Sequence, residues 1–165
     1  MATTALRGSE VHTVGDLPAV GGTAPSYTLT GTDLADIASD AHAGQRVVLN
    51  IFPSIDTDVC ATSVRRFNEL AAGVDNTVVL CVSADLPFAT KRFCGAEGID
   101  NVEMGSSFRS GFGTDFGVTM TDGPMRGLLA RSVIVIDADD TVLHTEVVDD
   151  IGHEPDYDAA VAALG

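Results

Sequence analysis

Two apolar runs in the first half of the chain have the composition of strands that are buried on both faces. Residues 47–52 (VVLNIF) end at Pro53, and residues 77–82 (TVVLCV) form the second run. Between them, from Asp58 to Ala72, apolar positions recur three or four residues apart, as on one face of a helix. Gly73 ends that pattern. The pattern therefore predicts a strand, a helix and a second strand in this order.

The second half of the chain continues the alternation and then changes it. Asp85-Leu86-Pro87 opens a second helix, with proline early in the first turn, and Gly95 is expected to end that helix. Residues 132–136 and 141–148 are apolar runs on either side of an aspartate-rich turn, which predicts two antiparallel strands. A last amphipathic helix is expected over residues 154–164.

The N-terminal third of the chain has weaker signals. Its first 30 residues alternate loosely between apolar and polar positions around several glycines and prolines, which favours short strands in a hairpin. Residues 33–42 are predicted to form a short helix that ends before Gly44. The whole pattern indicates an α/β protein with a central mixed sheet flanked by helices, and a thioredoxin-like fold fits that order best. At 165 residues the chain is expected to form a single domain, residues 1–165.

Composition and charge exclude several classes of function. Hydrophobic residues make up 45% of the chain and charged residues 20%, as in ordinary globular proteins. The net charge of −15 repels phosphate backbones and anionic lipid headgroups, so we expect neither nucleic acid nor a membrane as a partner. The charge could reflect either a salt-rich cytoplasm or a GC-rich genome. Without an apolar run of membrane-spanning length or the features of a signal peptide, the expected location is cytoplasmic.

The three cysteines are too few and too widely spaced for a disulfide scaffold or a zinc ribbon. Cys81 lies within a predicted buried strand, in its alternating pattern, and is expected to pack there. The chain has four histidines: His12, His42, His144 and His153. Their spacing to the cysteines does not indicate a metal cluster or a Cys–His pair. We expect no cofactor.

Cys60 is the cysteine whose position indicates chemistry. It falls in the first turn of the predicted helix, where unpaired N–H groups and the helix dipole favour a thiolate over a thiol. Thr57 can turn its hydroxyl towards the sulfur or cap the helix. Cys60 could instead only pack inward along the apolar face of the helix. Asp58 would oppose a thiolate if its carboxylate faced the sulfur, so we expect it to point to solvent or to interact with the helix start.

The motif Pro53-x-x-x-Thr57-x-x-Cys60 matches the active-site motif of peroxiredoxins, and NIFPSIDTDVCATSVRRFNEL around it resembles the thiol peroxidase branch of that family. The resemblance continues in DNTVVLCVSADLPFATKRFCGAEGIDNV at 75–102, in DGPMRGLLARSVIVID at 122–137 and in EPDYDAAVAAL at 154–164. It covers nearly the whole chain.

The resemblance implies a role for each matching residue. Cys60 corresponds to the peroxidatic cysteine, whose thiolate attacks a peroxide and becomes a sulfenic acid. Thr57 would hydrogen-bond the peroxide and the sulfur, and Pro53 would shield the pocket from water. Arg131 would favour the thiolate and polarise the O–O bond. Cys94 would be the resolving cysteine, which forms an intrachain Cys60–Cys94 disulfide that thioredoxin reduces.

The resemblance also implies the substrates and the assembly. Hydrogen peroxide and organic hydroperoxides are the expected substrates, and a preference for alkyl or lipid hydroperoxides agrees with the apolar residues Ile55, Val59, Phe88 and Phe93 near the motif. Members of the branch form homodimers through the active-site side of the sheet. A disulfide needs Cα atoms within about 7 Å, and Cys60 and Cys94 lie on different predicted helices. If they are further apart when reduced, parts of both helices must unwind in each turnover. We therefore expect a folded reduced state and a locally rearranged oxidised state.

Three other functions use some of the same residues. A thiol redox sensor would pass the Cys60–Cys94 disulfide to a partner protein. A cysteine-dependent acyl-transfer enzyme would need a basic histidine beside the thiol, and none lies in the motifs. A non-catalytic binding module would be expected to have lost the Pro53–Thr57–Cys60 pattern.

Overall fold

The computed structural model describes residues 1–165 and contains nine strands and four α-helices. A separate hairpin at the N-terminus consists of β1 (Thr3–Leu6) and β2 (Ser9–His12). The other strands form one sheet: β3 (Thr28–Thr30), β4 (Asp36–Ala38), β5 (Arg46–Ile51), β6 (Thr77–Ser83), β7 (Glu103–Ser106), β8 (Ser132–Ile136) and β9 (Val142–Val147). The helices are α1 (Asp58–Ala71), α2 (Pro87–Glu97), α3 (Phe112–Asp115) and α4 (Tyr157–Ala162). None of the helices is both long and apolar enough to span a bilayer.

The seven strands of the main sheet lie in the order β4-β3-β7-β6-β5-β8-β9. The pairs β5–β6 and β6–β7 are parallel, and α1 and α2 are the two crossovers that connect them. All other neighbouring strands of the sheet are antiparallel. The mixed sheet, its flanking helices and the N-terminal hairpin confirm the predicted architecture.

The side chains of the central strands alternate between two apolar layers. Leu49 and Ile51 of β5 point to one face of the sheet, where they join a cluster that includes Phe112 and Phe116. Val48 points to the other face and packs with Phe67 of α1. The face beneath α1 is the one that carries the predicted catalytic residues.

The predicted helix over residues 33–42 is wrong for most of its length. Leu34 has a left-handed φ of 68°, and the Asp33 carboxylate accepts a hydrogen bond from the Ala35 N–H, so the chain turns sharply there. Residues 36–38 then form β4 as an antiparallel partner of β3. Only residues 39–42 are helical, as one turn of 3₁₀ helix.

The bounds of two other helices differ from the sequence prediction. Helix α2 continues through Gly95 and ends at Gly98, whose φ of 66° gives the left-handed geometry of a helix C-terminus. Helix α4 begins later than predicted because the Asp156 carboxylate caps its start by accepting from the Ala159 N–H, and it ends two residues earlier, at Ala162. Strand β7 and helix α3 were not predicted.

Candidate active site

Cys60 lies in the first turn of α1 and is fully buried, with 0% of its surface exposed. Strand β5 ends at Ile51, and a loop over residues 53–57 leads from the edge of the sheet into the helix. The sulfur packs in an apolar cluster with Phe52, Ile55 and Val64. At this helix start the backbone N–H groups have no carbonyl one turn earlier to bind, so they add positive potential near the sulfur.

The Arg131 side chain makes direct contact with that sulfur. Its Nη2 donates to Cys60 Sγ at 3.1 Å, and its Nε donates to the Ile151 carbonyl at 2.9 Å. Arg131 is only 1% exposed, and Nη1 is buried without an acceptor. No carboxylate forms an ion pair with this guanidinium. Because arginine stays protonated in proteins, this guanidinium places a buried positive charge directly against the Cys60 sulfur.

The position of Arg131 follows from the alternation of β8. Val133 and Val135 point to the face of the sheet that α1 covers, and Arg131, two residues before Val133, points to the same face. Ser132 pairs with Ile51 in the antiparallel β5–β8 ladder. Arg131 therefore lies beside the end of β5, where the loop to Cys60 begins.

Pro53 and Thr57 are the first and last residues of the loop that leads to Cys60. Thr57 is the residue before α1, but its hydroxyl makes no capping bond and instead donates to the Ser54 carbonyl at 3.0 Å. With its hydrogen used in this way, the Thr57 oxygen remains an acceptor. Pro53 is buried and has no N–H that would require a partner. Asp58 is exposed on the first residue of the helix, where its charge is favourable to the helix dipole.

Cys94 lies on α2 and packs at the edge of the cluster that contains Cys60, next to Phe93. Burial raises the pKa of the half-buried Cys94 thiol. Cys94 also lines an open cavity of about 380 Å³. Helices α1 and α2 are joined at the surface by Arg65, which makes two hydrogen bonds to the Glu97 carboxylate. Cys60 and Cys94 are not joined in a disulfide in this structure.

The third cysteine, Cys81, belongs to the sheet. Cys81 is buried in β6, and desolvation raises the pKa of its thiol to about 12, although a contact from Asn50 Nδ2 at 3.6 Å opposes that shift. It is therefore a protonated packing group at neutral pH.

None of the histidines hydrogen-bonds a cysteine. His42 is held between the Tyr27 hydroxyl and Glu103. His12 lies between Asp122 and Glu10, and His153 contacts Asp149.

Sequence reasoning did not assign Asp85 to the site. The Asp85 carboxylate accepts from the Ser54 hydroxyl at 2.8 Å and from the Ile55 N–H at 2.7 Å. The Asp85-Leu86-Pro87 pattern marked only the start of a helix, and nothing in its spacing indicates a partner 31 residues earlier. An aspartate at the end of a buried strand, next to the motif strand, was the one available signal.

Comparison with known proteins identifies the family of this chain. A model of the redoxin family matches residues 19–161. The chain is 62% identical over 165 residues to the thiol peroxidase of Mycobacterium tuberculosis, with 100% of this chain and 99% of the relative covered. It is 56% identical over 164 residues to the thiol peroxidase of Corynebacterium glutamicum, with 99% of both chains covered. The chain belongs to the redoxin family.

Solved structures identify the same redoxin fold. A peroxiredoxin-like protein from Aquifex aeolicus superposes with a TM-score of 0.94 at 37% identity, with 99% of this chain and 96% of that chain covered. A thiol peroxidase from Chromobacterium violaceum gives a TM-score of 0.90 at 21% identity, with 98% and 94% covered, and shows the fold alone. These structures confirm the predicted thioredoxin-like fold. The two thiol peroxidase relatives confirm the resemblance to the thiol peroxidase branch. This redoxin is a thiol-dependent peroxidase, an antioxidant oxidoreductase that acts on hydroperoxides.

Proposed function

We propose that Cys60 is the peroxidatic cysteine of this redoxin and that Arg131 holds it as a thiolate. The observation that carries the proposal is the buried Arg131 guanidinium, which bonds Cys60 Sγ at 3.1 Å and has no carboxylate partner. A thiolate at Cys60 would satisfy this charge. Arg131 Nη1, buried without an acceptor, is then free to donate to an oxygen of the bound peroxide.

In the first step the Cys60 thiolate attacks the terminal oxygen of a hydroperoxide. The O–O bond breaks, an S–O bond forms, and the alkoxide leaves and takes up a proton to become an alcohol. The sulfur loses two electrons and becomes a sulfenic acid. The Thr57 hydroxyl donates to the Ser54 carbonyl, so its oxygen can accept a hydrogen bond from the O–H of the hydroperoxide. Buried Pro53 keeps water from the sulfur.

In the second step Cys94 attacks the sulfenic sulfur. An S–S bond forms, the S–O bond breaks, and the hydroxyl group leaves with the Cys94 proton as water. Cys94 must first lose that proton, which burial opposes by raising its pKa. Exposure of Cys94 by local unwinding removes this obstacle, and Gly95 in the last turn of α2 lowers the cost of unwinding because glycine is a weak helix former.

In the third step a dithiol reductant of the thioredoxin type returns two electrons and two protons by thiol–disulfide exchange. The proposed location is the cytoplasm, where reducing systems of this kind keep thiols reduced. We also propose that residues 1–165 act as one domain, because Cys60, Cys94 and Arg131 come from distant parts of the chain.

Apolar groups beside the loop support an organic hydroperoxide as substrate and a second copy of the chain as partner. Ile55 is buried against Cys60, whereas Leu86 and Phe88, which follow Asp85, are 51% and 66% exposed. A homodimer through this side of the sheet would cover both residues. Sedimentation velocity is expected to give about twice the 17.1 kDa mass of the chain, and a monomer at micromolar concentration would contradict the dimer.

The test of the two-cysteine cycle is to treat the reduced protein with one equivalent of peroxide and map its disulfides. We expect an intrachain Cys60–Cys94 disulfide, and in Cys94→Ser a single turnover that ends with a sulfenic acid on Cys60. Formation of the disulfide should accelerate as the pH rises above 7, because Cys94 attacks as a thiolate and burial raises its pKa until the helix unwinds. Cys81→Ala is the matched control and should form the same disulfide.

Two outcomes would change the assignment. Steady turnover of Cys94→Ser with thioredoxin, thioredoxin reductase and NADPH would show that Cys94 does not resolve the sulfenic acid. A Cys60–Cys94 disulfide that forms normally but is not reduced by thioredoxin would favour a different electron donor or a sensor that passes the disulfide to a partner protein.

A further inference from the structure

The Asp85 carboxylate is held at the junction of the two segments that carry the cysteines. It follows strand β6 and comes two residues before α2, the helix of Cys94. Its oxygens accept from Ser54 Oγ at 2.8 Å and from the Ile55 N–H at 2.7 Å, both on the loop that leads to Cys60. A third bond, from Ser83 Oγ at 2.6 Å, fixes the carboxylate from its own strand.

The two loop residues that Asp85 holds, Ser54 and Ile55, contact Thr57 and the Cys60 cluster. The Ser54 carbonyl accepts from both the hydroxyl and the backbone N–H of Thr57, at 3.0 and 3.2 Å. The Ile55 side chain is buried in the same apolar cluster as the Cys60 sulfur. A carboxylate that holds Ser54 and Ile55 therefore fixes one polar and one apolar wall of the peroxide site.

Other links between this loop and α2 are weaker. Arg92 on α2 contacts the Asp56 carboxylate at 3.2 Å, but both side chains are mostly exposed. Exposed ion pairs of this kind contribute little, whereas hydrogen bonds to an ionised group that is partly buried are among the stronger ones. Asp85, half-buried and bonded to three donors, is the main polar connection between the loop and the start of α2.

We infer that Asp85 is a positioning residue that holds the peroxide-reactive conformation of the loop and must release it before the disulfide can form. The inference rests on the proposed function, in which Cys60 reacts first in the folded site and Cys94 reaches it after local unwinding. In the folded state the Asp85 bonds keep Thr57 and Ile55 in place for attack on the peroxide. In the unwound state these bonds are broken, so they oppose the second step.

The two chemical steps should therefore respond in opposite directions to the loss of Asp85. Asp85→Asn keeps the shape of the side chain but removes its charge, and its one amide oxygen can replace only one of the two carboxylate oxygens that accept these bonds. Oxidation of Cys60 should slow by about tenfold, the effect expected for one or two lost hydrogen bonds to a charged group. Conversion of the sulfenic acid to the Cys60–Cys94 disulfide should accelerate, and over-oxidation of Cys60 at high peroxide should decrease.

Rapid quenching with a thiol-alkylating reagent and mass spectrometry measures both steps. The first rate is taken in the Cys94→Ser background with and without Asp85→Asn, and the second with Cys94 present. Ser54→Ala removes only one of the two bonds to the loop and should shift both rates in the same directions by smaller factors. Asp56→Asn, which removes the exposed ion pair to Arg92, is the matched control and should leave both rates within about twofold.

Three outcomes would contradict either the role of Asp85 or the proposed function. If both steps slow in Asp85→Asn and in Ser54→Ala, Asp85 only supports the fold and the inference is wrong. If the unsubstituted chain reacts at Cys60 but Asp85→Asn keeps both rates within a factor of two, the inference is wrong and the proposed function stands. If peroxide leaves Cys60 of the unsubstituted chain as a thiol, the proposed function fails, and the role of Asp85 with it.

Discussion

Cys60→Ser is expected to abolish peroxide turnover in an assay coupled to thioredoxin, thioredoxin reductase and NADPH. A serine hydroxyl at this position cannot take the two-electron oxidation that a thiolate undergoes, and it is not ionised at neutral pH. The rate should fall by on the order of 10³ or more, as for removal of the nucleophile in other covalent mechanisms. Cys60→Ser should also lower the thermal stability at neutral pH, because the buried Arg131 guanidinium would lose its contact with the Cys60 sulfur.

The control for Cys60→Ser is Cys81→Ala, another buried thiol of the same apolar cluster. The raised pKa of Cys81 keeps it protonated at neutral pH, so its removal should leave the rate of the first step close to that of the unsubstituted protein. Full activity in Cys60→Ser would overturn the assignment of the nucleophile. Equal loss of activity in both variants would indicate that packing of the cluster, rather than the chemistry of one thiol, had been tested.

The sequence was sufficient for the strands at the centre of the sheet. Strands β5, β6 and β8 are continuous apolar runs because both of their faces are covered, and such runs differ clearly from the helical spacing of α1. The same alternation placed Cys81 inside a buried strand. These elements fix the position at which the chain leaves β5 and enters the helix of Cys60.

Elements that depend on tertiary pairing could not be predicted in this way. Strand β7 (EMGS) has little intrinsic strand propensity and is ordered by its neighbours β6 and β3. The residues of β4 were predicted to be helical because the turn at Leu34, with its left-handed φ, has no clear sequence signal. Gly95 resembled a helix end, but the left-handed residue is Gly98.

In the site, too, features set by nearby residues could be predicted from the sequence, and contacts between distant residues could not. The place of Cys60 at a helix start follows from the sequence spacing, and the role of Arg131 came only from the resemblance to peroxiredoxins. The contact between Arg131 and Cys60 joins residues 71 positions apart, and the bonds from Asp85 to Ser54 and Ile55 span about 30. Only the register of β5 against β6 and β8 brings these side chains to one edge of the sheet.

Replacement of Arg131 tests the electrostatic part of the mechanism separately from the nucleophile. Arg131→Gln removes the positive charge and the Nη2 contact to the sulfur, although its amide can still donate to the Ile151 carbonyl. Oxidation of Cys60 by peroxide should slow by about 10²–10³, the usual cost of losing one donor that stabilises developing charge. Alkylation of Cys60 by iodoacetamide at pH 7 should also slow, because a smaller fraction of the sulfur is thiolate.

Arg131→Lys is the matched variant that distinguishes charge from geometry. Lysine keeps a positive charge but cannot donate to Cys60 Sγ and the Ile151 carbonyl with the fixed geometry of a guanidinium. We therefore expect alkylation close to that of the unsubstituted protein and an intermediate rate of peroxide reduction, since the charge favours the thiolate while the peroxide oxygen lacks its second donor. Arg131→Gln also removes a buried charge. Its thermal stability should therefore fall much less than its activity. A peroxide reaction in Arg131→Gln within about threefold of the unsubstituted rate would show that the guanidinium does not act on the reacting atoms.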